Sequence, residues 1–179
     1  MEMRRDPWRA ACPIIEGAFA LAATSSPWGR ATIGDVKAIP GSRNTVPERL
    51  VISVDLRHPD KTVLDAMIAA FRELVTATAA RHNIQQSVEQ VWHMPPTAFD
   101  SRLVDMIEAA AGGLGLTHRR MVSGAGHDSL HTAQYAPTAM IFVPCAGGLS
   151  HNEAEDATSA DLAAGASVLL HAMLTAADA

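Results

Sequence analysis

The fold of this chain is decided by residues 50–57, Leu-Val-Ile-Ser-Val-Asp-Leu-Arg, and by the change of period that follows them. Apolar residues alternate with more polar ones across that stretch, which predicts a half-buried strand. Over residues 61–81 the apolar residues recur at helical spacing, so a helix follows the strand. Similar patterns predict an earlier strand over residues 31–39 and a later one over 84–92. This order of strands and helices predicts an α/β fold.

The chain divides at residues 94–96, Met-Pro-Pro, because two consecutive prolines cannot continue a strand into the centre of a sheet. We therefore predict two domains, residues 1–95 and residues 96–179. The second contains a helix capped by Asp100 and an apolar strand over residues 138–143. A near-continuous apolar strand among helices is typical of a parallel sheet, and this one is too small to cover its own apolar faces.

Composition restricts the classes of partner. Hydrophobic residues make up 48% of the chain and charged residues 18%, which is typical of a globular protein with a core. The net charge is −5, so neither nucleic acid nor an anionic membrane is an expected partner. Asp161 interrupts the alanine-rich apolar stretch near the C-terminus, and no cleavable signal is evident, so we expect a cytoplasmic location. Cys12 and Cys145 fit no metal or redox spacing and are expected to be free thiols.

One histidine has the setting of a metal ligand. Residues 147–155 are Gly-Gly-Leu-Ser-His-Asn-Glu-Ala-Glu, so a double glycine after the apolar run presents His151, and carboxylates follow it two and four residues later. Imidazole binds divalent metals, and nearby carboxylates orient such ligands. A purely structural histidine is the alternative. Because one imidazole does not hold a catalytic metal, the sequence predicts that this chain is part of a larger catalytic apparatus.

A second histidine lies in a glycine-rich segment, residues 123–128, Ser-Gly-Ala-Gly-His-Asp. His127 and His131 stand four residues apart, which suits one face of a helix, but no third metal ligand follows at a useful spacing. Because Gly124 and Gly126 lack side chains, backbone N–H groups and His127 could instead approach an anionic or carbonyl oxygen of a ligand. A glycine turn with a structural histidine is the open alternative.

A third candidate site combines Asn44, in a predicted turn, with Arg57, at the end of the strand that follows. An arginine fork binds a carboxylate through two parallel N–H bonds, and an asparagine amide can add a third. The alternative is that Arg57 is solvated or pairs with a neighbouring carboxylate such as Asp55 or Asp60.

Together, these segments resemble the M20 group of metal-dependent amidohydrolases, in the branch of N-carbamoyl-L-amino acid hydrolases, β-ureidopropionases and allantoate amidohydrolases. The resemblance covers essentially the whole chain. The segments Ser-Gly-Ala-Gly-His-Asp and Gly-Gly-x-Ser-His-Asn, in this order, are specific in combination. The resemblance is carried by residues 1–6, 44–47, 55–60, 123–128 and 147–155.

The resemblance implies a role for five residues. His151 is similar to the last ligand of a two-metal site, for which zinc or manganese is the implied metal. Asn44 and Arg57 resemble lid residues that bind the substrate carboxylate. Gly126 and His127 resemble the catalytic-domain segment that contacts substrate. No residue of this chain matches the catalytic base.

The resemblance also implies an architecture. Residues 1–95 would form a ferredoxin-like lid, or dimerisation, domain that lacks its first strand and commonly makes a homodimer. Residues 96–179 would form the C-terminal part of an α/β zinc-hydrolase catalytic domain. The other metal ligands and the general base have no counterpart here.

The resulting prediction is the C-terminal portion of an enzyme that hydrolyses the carbon–nitrogen bond of N-carbamoyl or ureido amino acids. Alone, the chain is expected to be inactive and to retain no metal. Two alternatives remain open: a non-catalytic dimerisation or ligand-binding module, and one half of a split enzyme whose other chain supplies the missing ligands.

Overall fold

The computed structural model describes residues 3–178. Met1 and Glu2, which belong to the first of the segments that carry the resemblance, lie outside the described residues. The chain forms two compact units, Met1–Pro96 and Thr97–Ala179. The division falls within the Met-Pro-Pro segment, after Pro96.

The first unit contains two helices and a β-hairpin. They follow the order α1 (Trp8–Thr24), β1 (Arg30–Ile39), β2 (Arg49–Arg57) and α2 (Lys61–Arg81), so both strands of the hairpin and the helix after it are confirmed. The strands pair antiparallel along their whole length. Both helices pack against the hairpin and against each other.

Small residues allow α1 to approach α2 closely. The buried side chains of α1 are all alanines, and a Cβ atom on Gly17 would lie 2.3 Å from the Leu74 side chain of α2. α2 buries larger apolar side chains, including Leu64 and Met67. α1 continues through Pro13 to Thr24, so the proline does not delay the start of the helix.

The strand predicted over residues 84–92 is not present. These residues have no regular secondary structure, and in the described part of the chain β1 and β2 form the one sheet. The side chains of Val91 and Trp92 are 88% and 65% exposed. A strand needs a neighbouring strand for its backbone N–H and C=O groups, and nothing in the local sequence provides one.

The second unit is built on a helix pair. Its elements are α3 (Ser101–Gly113), the one-turn helix α4 (Ser129–Thr132), a 3-10 turn at Ala146–Gly148 and α5 (Ser159–Ala177). α3 packs against α5.

Asp100 links the start of α3 to the apolar run. As predicted, it caps α3, since its carboxylate accepts the backbone N–H of Leu103 at 3.0 Å. The backbone N–H of Asp100 donates to the carbonyl of Thr138 at 2.9 Å. The strand predicted over residues 138–143 is nevertheless wrong in this chain, because these residues have no regular secondary structure.

The last helix, α5, exposes much of its apolar surface. Its leucines and Met173 are between 51% and 61% exposed. By length and mean hydropathy α5 is long and apolar enough to cross a membrane, and 11% of that stretch is buried in this chain. One face of α5 packs on α3, and its outer face is uncovered.

The cap of α2 generates a prediction about pH. The Asp60 carboxylate accepts the backbone N–H groups of Val63 and Thr62, and these bonds lower the pKa of Asp60 below its ordinary value of 3.8. A lowered folded-state pKa stabilises the protein above the unfolded pKa, and this stabilisation is lost as the pH falls through the folded-state pKa.

Asp60→Asn keeps a capping oxygen but cannot titrate. We therefore expect thermal unfolding of the wild-type chain to lose more stability between pH 7 and pH 3 than unfolding of Asp60→Asn. Equal losses for the two proteins would contradict the assignment.

Candidate functional site

His151 lies in a loop that is folded by left-handed backbone conformations. Gly147, Gly148 and His151 have φ angles of 62°, 67° and 56°. Glycine adopts this region without strain, whereas a histidine there is held by its surroundings. The carboxylate of Glu155 supplies one such restraint, because it accepts the backbone N–H of His151 at 2.8 Å. Glu155 therefore fixes the turn that presents His151.

The described residues do not form a complete metal site. Among residues 3–178, no group of three or more histidine, cysteine, aspartate or glutamate side chains could hold a metal ion. The exposed imidazole of His151 offers one ligand, and a divalent metal needs three or more protein ligands for tight binding at a catalytic site. The donor set of residues 3–178 does not by itself fit a metal centre.

The second candidate histidine lies ahead of a helix and not on it. α4 begins at Ser129, so His127 and His131 are not a pair on one helical face. The His127 ring is half-buried. Ser123 Oγ lies 2.9 Å from its Nε2 atom, and the ring of Phe142 packs edge-on with the two centroids 5.5 Å apart. The structure thus fixes the orientation of the His127 ring.

The glycines beside His127 are not required by the local backbone. Neither Gly124 nor Gly126 is among the residues with positive φ. A Cβ on Gly124 would meet nothing within 4 Å, and one on Gly126 would lie 3.9 Å from the Leu130 side chain. This chain leaves room for a side chain at both positions. The two glycines are therefore better explained by the close approach of another molecule to this surface than by the local fold.

Asn44 and Arg57 lie at opposite ends of the hairpin. Ile39 pairs with Arg49 at the end that carries the loop with Asn44, and Arg30 pairs with Arg57 at the other end. A strand of nine residues spans roughly 27 Å at about 3.4 Å per residue. One copy of this chain therefore cannot bring both side chains to the same carboxylate, and the expectation that they act together within one chain is corrected.

Arg57 has a carboxylate neighbour in its own strand. Its Nε and Nη2 atoms donate to the two oxygens of Asp55 at 2.7 and 3.0 Å. The hydrogen bond to Asp55 raises the pKa of Arg57, against a smaller opposing effect of burial. A guanidinium has five N–H donors, so this side-on pair orients the fork and is compatible with a second carboxylate.

Two residues that contact His127 are not predicted from the sequence. Ser123 contacts the His127 ring, and its only signal in the sequence is a four-residue separation within a glycine-rich loop. Phe142 comes from the apolar run, where it reads as an ordinary core residue. Neither contact follows from local periodicity, because each depends on how the loop turns.

The chain is similar to several known amidohydrolases. It is 42% identical over 178 residues to the N-carbamoyl-L-amino-acid amidohydrolase of Rhizobium meliloti, covering 99% of this chain and 43% of the relative. It is 30% identical over 169 residues to the allantoate amidohydrolase of Bacillus subtilis strain 168, covering 94% of this chain and 41% of the relative. The chain therefore spans less than half the length of these relatives.

The three-dimensional structure agrees with the sequence comparisons. A crystal structure of an amidase of the hydantoinase/carbamoylase family from Burkholderia vietnamiensis superposes with a TM-score of 0.91 at 47% identity, over 98% of this chain and 42% of that one. The fold is thus similar to that of this amidase over the part that the two chains share. The profile of peptidase family M20/M25/M40 matches residues 14–175, and the chain belongs to this family.

The two kinds of glycine in the site generate a paired prediction. Gly126→Ala should change the free energy of unfolding by less than about 0.5 kcal/mol, because the new methyl group has space. Gly148→Ala should destabilise by roughly 1 kcal/mol, since alanine is strained at positive φ. Denaturant unfolding of the two variants measures both values. A loss at Gly126 equal to that at Gly148 would mean that the first glycine serves the local fold.

Proposed function

We propose that this chain is the C-terminal portion of a metal-dependent amidohydrolase that acts on the carbon–nitrogen bond of N-carbamoyl or ureido amino acids, and that it is inactive alone. The observation that carries the proposal is the match of almost the whole chain to less than half of an N-carbamoyl-L-amino-acid amidohydrolase. The incomplete donor set around His151 supports the same conclusion. A cytoplasmic location stays a prediction from the sequence.

The proposal gives each unit its own role. The first unit is the lid, and its Arg57 binds the substrate carboxylate through the fork that Asp55 orients. The second unit belongs to the catalytic domain, and its Gly126 and His127 form a surface that substrate approaches. His151 supplies one metal ligand. The other ligands and the base would come from the part of the relatives that this chain does not span.

The order of elements in the first unit supports the proposal that it is a lid lacking one strand. Residues 84–92 follow β2 and α2, and a strand formed there would complete the strand–helix–strand order that is typical of parallel strands in one sheet. A side-chain contact of 3.4 Å between Arg72 and Gln90 joins this segment to α2. We propose that a further strand, antiparallel to both, pairs with β2 on one side and with residues 84–92 on the other.

The separation of Asn44 from Arg57 supports a homodimer through the other edge of the hairpin. If the β1 strands of two copies pair antiparallel about a two-fold axis, each strand end meets the opposite end of its partner. The loop that carries Asn44 of the partner subunit then lies at the end of the sheet where Arg57 lies. Each carboxylate site would take Arg57 from one subunit and Asn44 from the other.

Reconstitution tests the proposed activity. The chain is co-expressed with the portion of the Rhizobium meliloti relative that it does not match, and hydrolysis of an N-carbamoyl-L-amino acid is measured with added zinc or manganese. We expect activity from the purified combination and none from the chain alone. Activity of the chain alone, or an inactive complex, would contradict the proposal. His151→Ala is the control variant and should abolish the activity of the combination, because it removes a metal ligand.

Mixed dimers test the shared carboxylate site. In the reconstituted enzyme, Asn44→Ala and Arg57→Ala should each raise KM strongly. If the two residues act across the dimer, random mixing of these variants gives half heterodimers, each with one intact site, and restores about a quarter of the wild-type activity at low substrate. No recovery after mixing, with heterodimers verified by mass spectrometry of differently tagged chains, would contradict the arrangement.

A further inference from the structure

The Ser123 hydroxyl has three polar neighbours and a single proton to donate. Its Oγ atom lies 3.2 Å from the backbone N–H of Ala125, 3.2 Å from the carbonyl of the same residue and 2.9 Å from Nε2 of His127. Both side chains are half-buried. The hydroxyl offers one donor and two acceptor lone pairs, so its proton can satisfy one acceptor only.

The two neutral forms of the His127 ring satisfy this cluster unequally. With the proton on Nε2, the ring and the Ala125 N–H both donate to Oγ, and Oγ donates to the Ala125 carbonyl, so all three contacts are hydrogen bonds. With the proton on Nδ1, the hydroxyl must donate to Nε2, and the Ala125 carbonyl loses its donor. An acceptor left without a partner in a half-buried loop costs free energy, which favours the first form.

We infer that Ser123 is a positioning residue that holds His127 in the Nε2-protonated form and fixes the direction of its ring. The edge-on contact of Phe142 restrains the same ring from a second element. In this form Nδ1 is the ring nitrogen that carries a lone pair, so neutral His127 acts as a hydrogen-bond acceptor. Its match is an N–H donor on the ligand, such as the N–H groups of a carbamoyl or ureido group, and not a carbonyl or carboxylate oxygen.

This assignment of the ligand group rests on the proposed function, whereas the state of the ring does not. The two are therefore separable by experiment. Long-range proton–nitrogen correlation spectra of the ¹⁵N-labelled 179-residue chain report which ring nitrogen of His127 is protonated. They also show whether the Nε2 proton is protected enough from exchange with water to be observed.

The expected result is a protonated Nε2 with an observable proton in the wild-type chain, loss of that proton signal in Ser123→Ala, and its return in Ser123→Thr, which retains the hydroxyl. Backbone amide spectra that superpose outside residues 123–131 verify the fold of each variant. A proton on Nδ1 in the wild-type chain, or the same Nε2 signal in Ser123→Ala, would overturn the inference. The wild-type spectrum alone decides if a variant does not fold.

The reconstituted enzyme provides the functional half of the test. Ser123→Ala should raise KM for an N-carbamoyl-L-amino acid about tenfold, and Ser123→Thr should restore it, because the acceptor nitrogen is again fixed. If Nε2 of His127 is protonated as expected but KM does not change in Ser123→Ala, then His127 does not accept a hydrogen bond from the substrate N–H group. The ligand assignment is then wrong. Inactivity of the reconstituted wild-type enzyme would instead count against the proposed function and leave the assigned ring state intact.

Discussion

Backbone pairing between strands is the constraint on which this chain depends. Of the segments that the sequence predicts as strands, β1 and β2 are neighbours joined by a short loop, and they pair along their full length. Residues 84–92 and 138–143 have the composition of strands but no regular structure among the described residues. Backbone N–H and C=O groups without protein partners must remain hydrated, so these segments stay near the surface. Without a sheet to pack against, the apolar faces of helices such as α5 are also uncovered.

The sequence predicts what is local and misses what is not. The period of apolar residues is enough to place α2, and the predicted cap at Asp100 places the start of α3, because helices satisfy their backbone within the segment. The same reasoning fails for residues 84–92 and 138–143, since a strand is completed by chain that lies elsewhere. The pattern of apolar residues shows that a segment is suited to be a strand, but the strand forms only when a neighbouring strand pairs with it.

The candidate site divides in the same way. Residue type and spacing single out His151 and His127, and the structure adds what holds them: a left-handed turn restrained by Glu155 for the first, and Ser123 with Phe142 for the second. Spacing is misleading for Asn44, because residues that are near Arg57 in sequence are carried to the far end of a hairpin. The proposed pairing of Arg57 with Asn44 of a second subunit depends on geometry that one sequence pattern does not contain.

Residue-resolved hydrogen–deuterium exchange of the 179-residue chain tests whether the two segments predicted as strands lack backbone hydrogen-bond partners in this chain. We expect slow exchange of the paired amides of β2 and exchange close to the unstructured rate in residues 85–92 and 139–143, whereas the N–H of Ile84 donates to the carbonyl of Ala79 at 2.9 Å. Adding the complementary portion of the Rhizobium meliloti relative should then protect both segments. If these segments were as protected as β2 in the chain alone, the chain would complete its own sheets. That result would contradict the claim that these strands need partners from outside the chain.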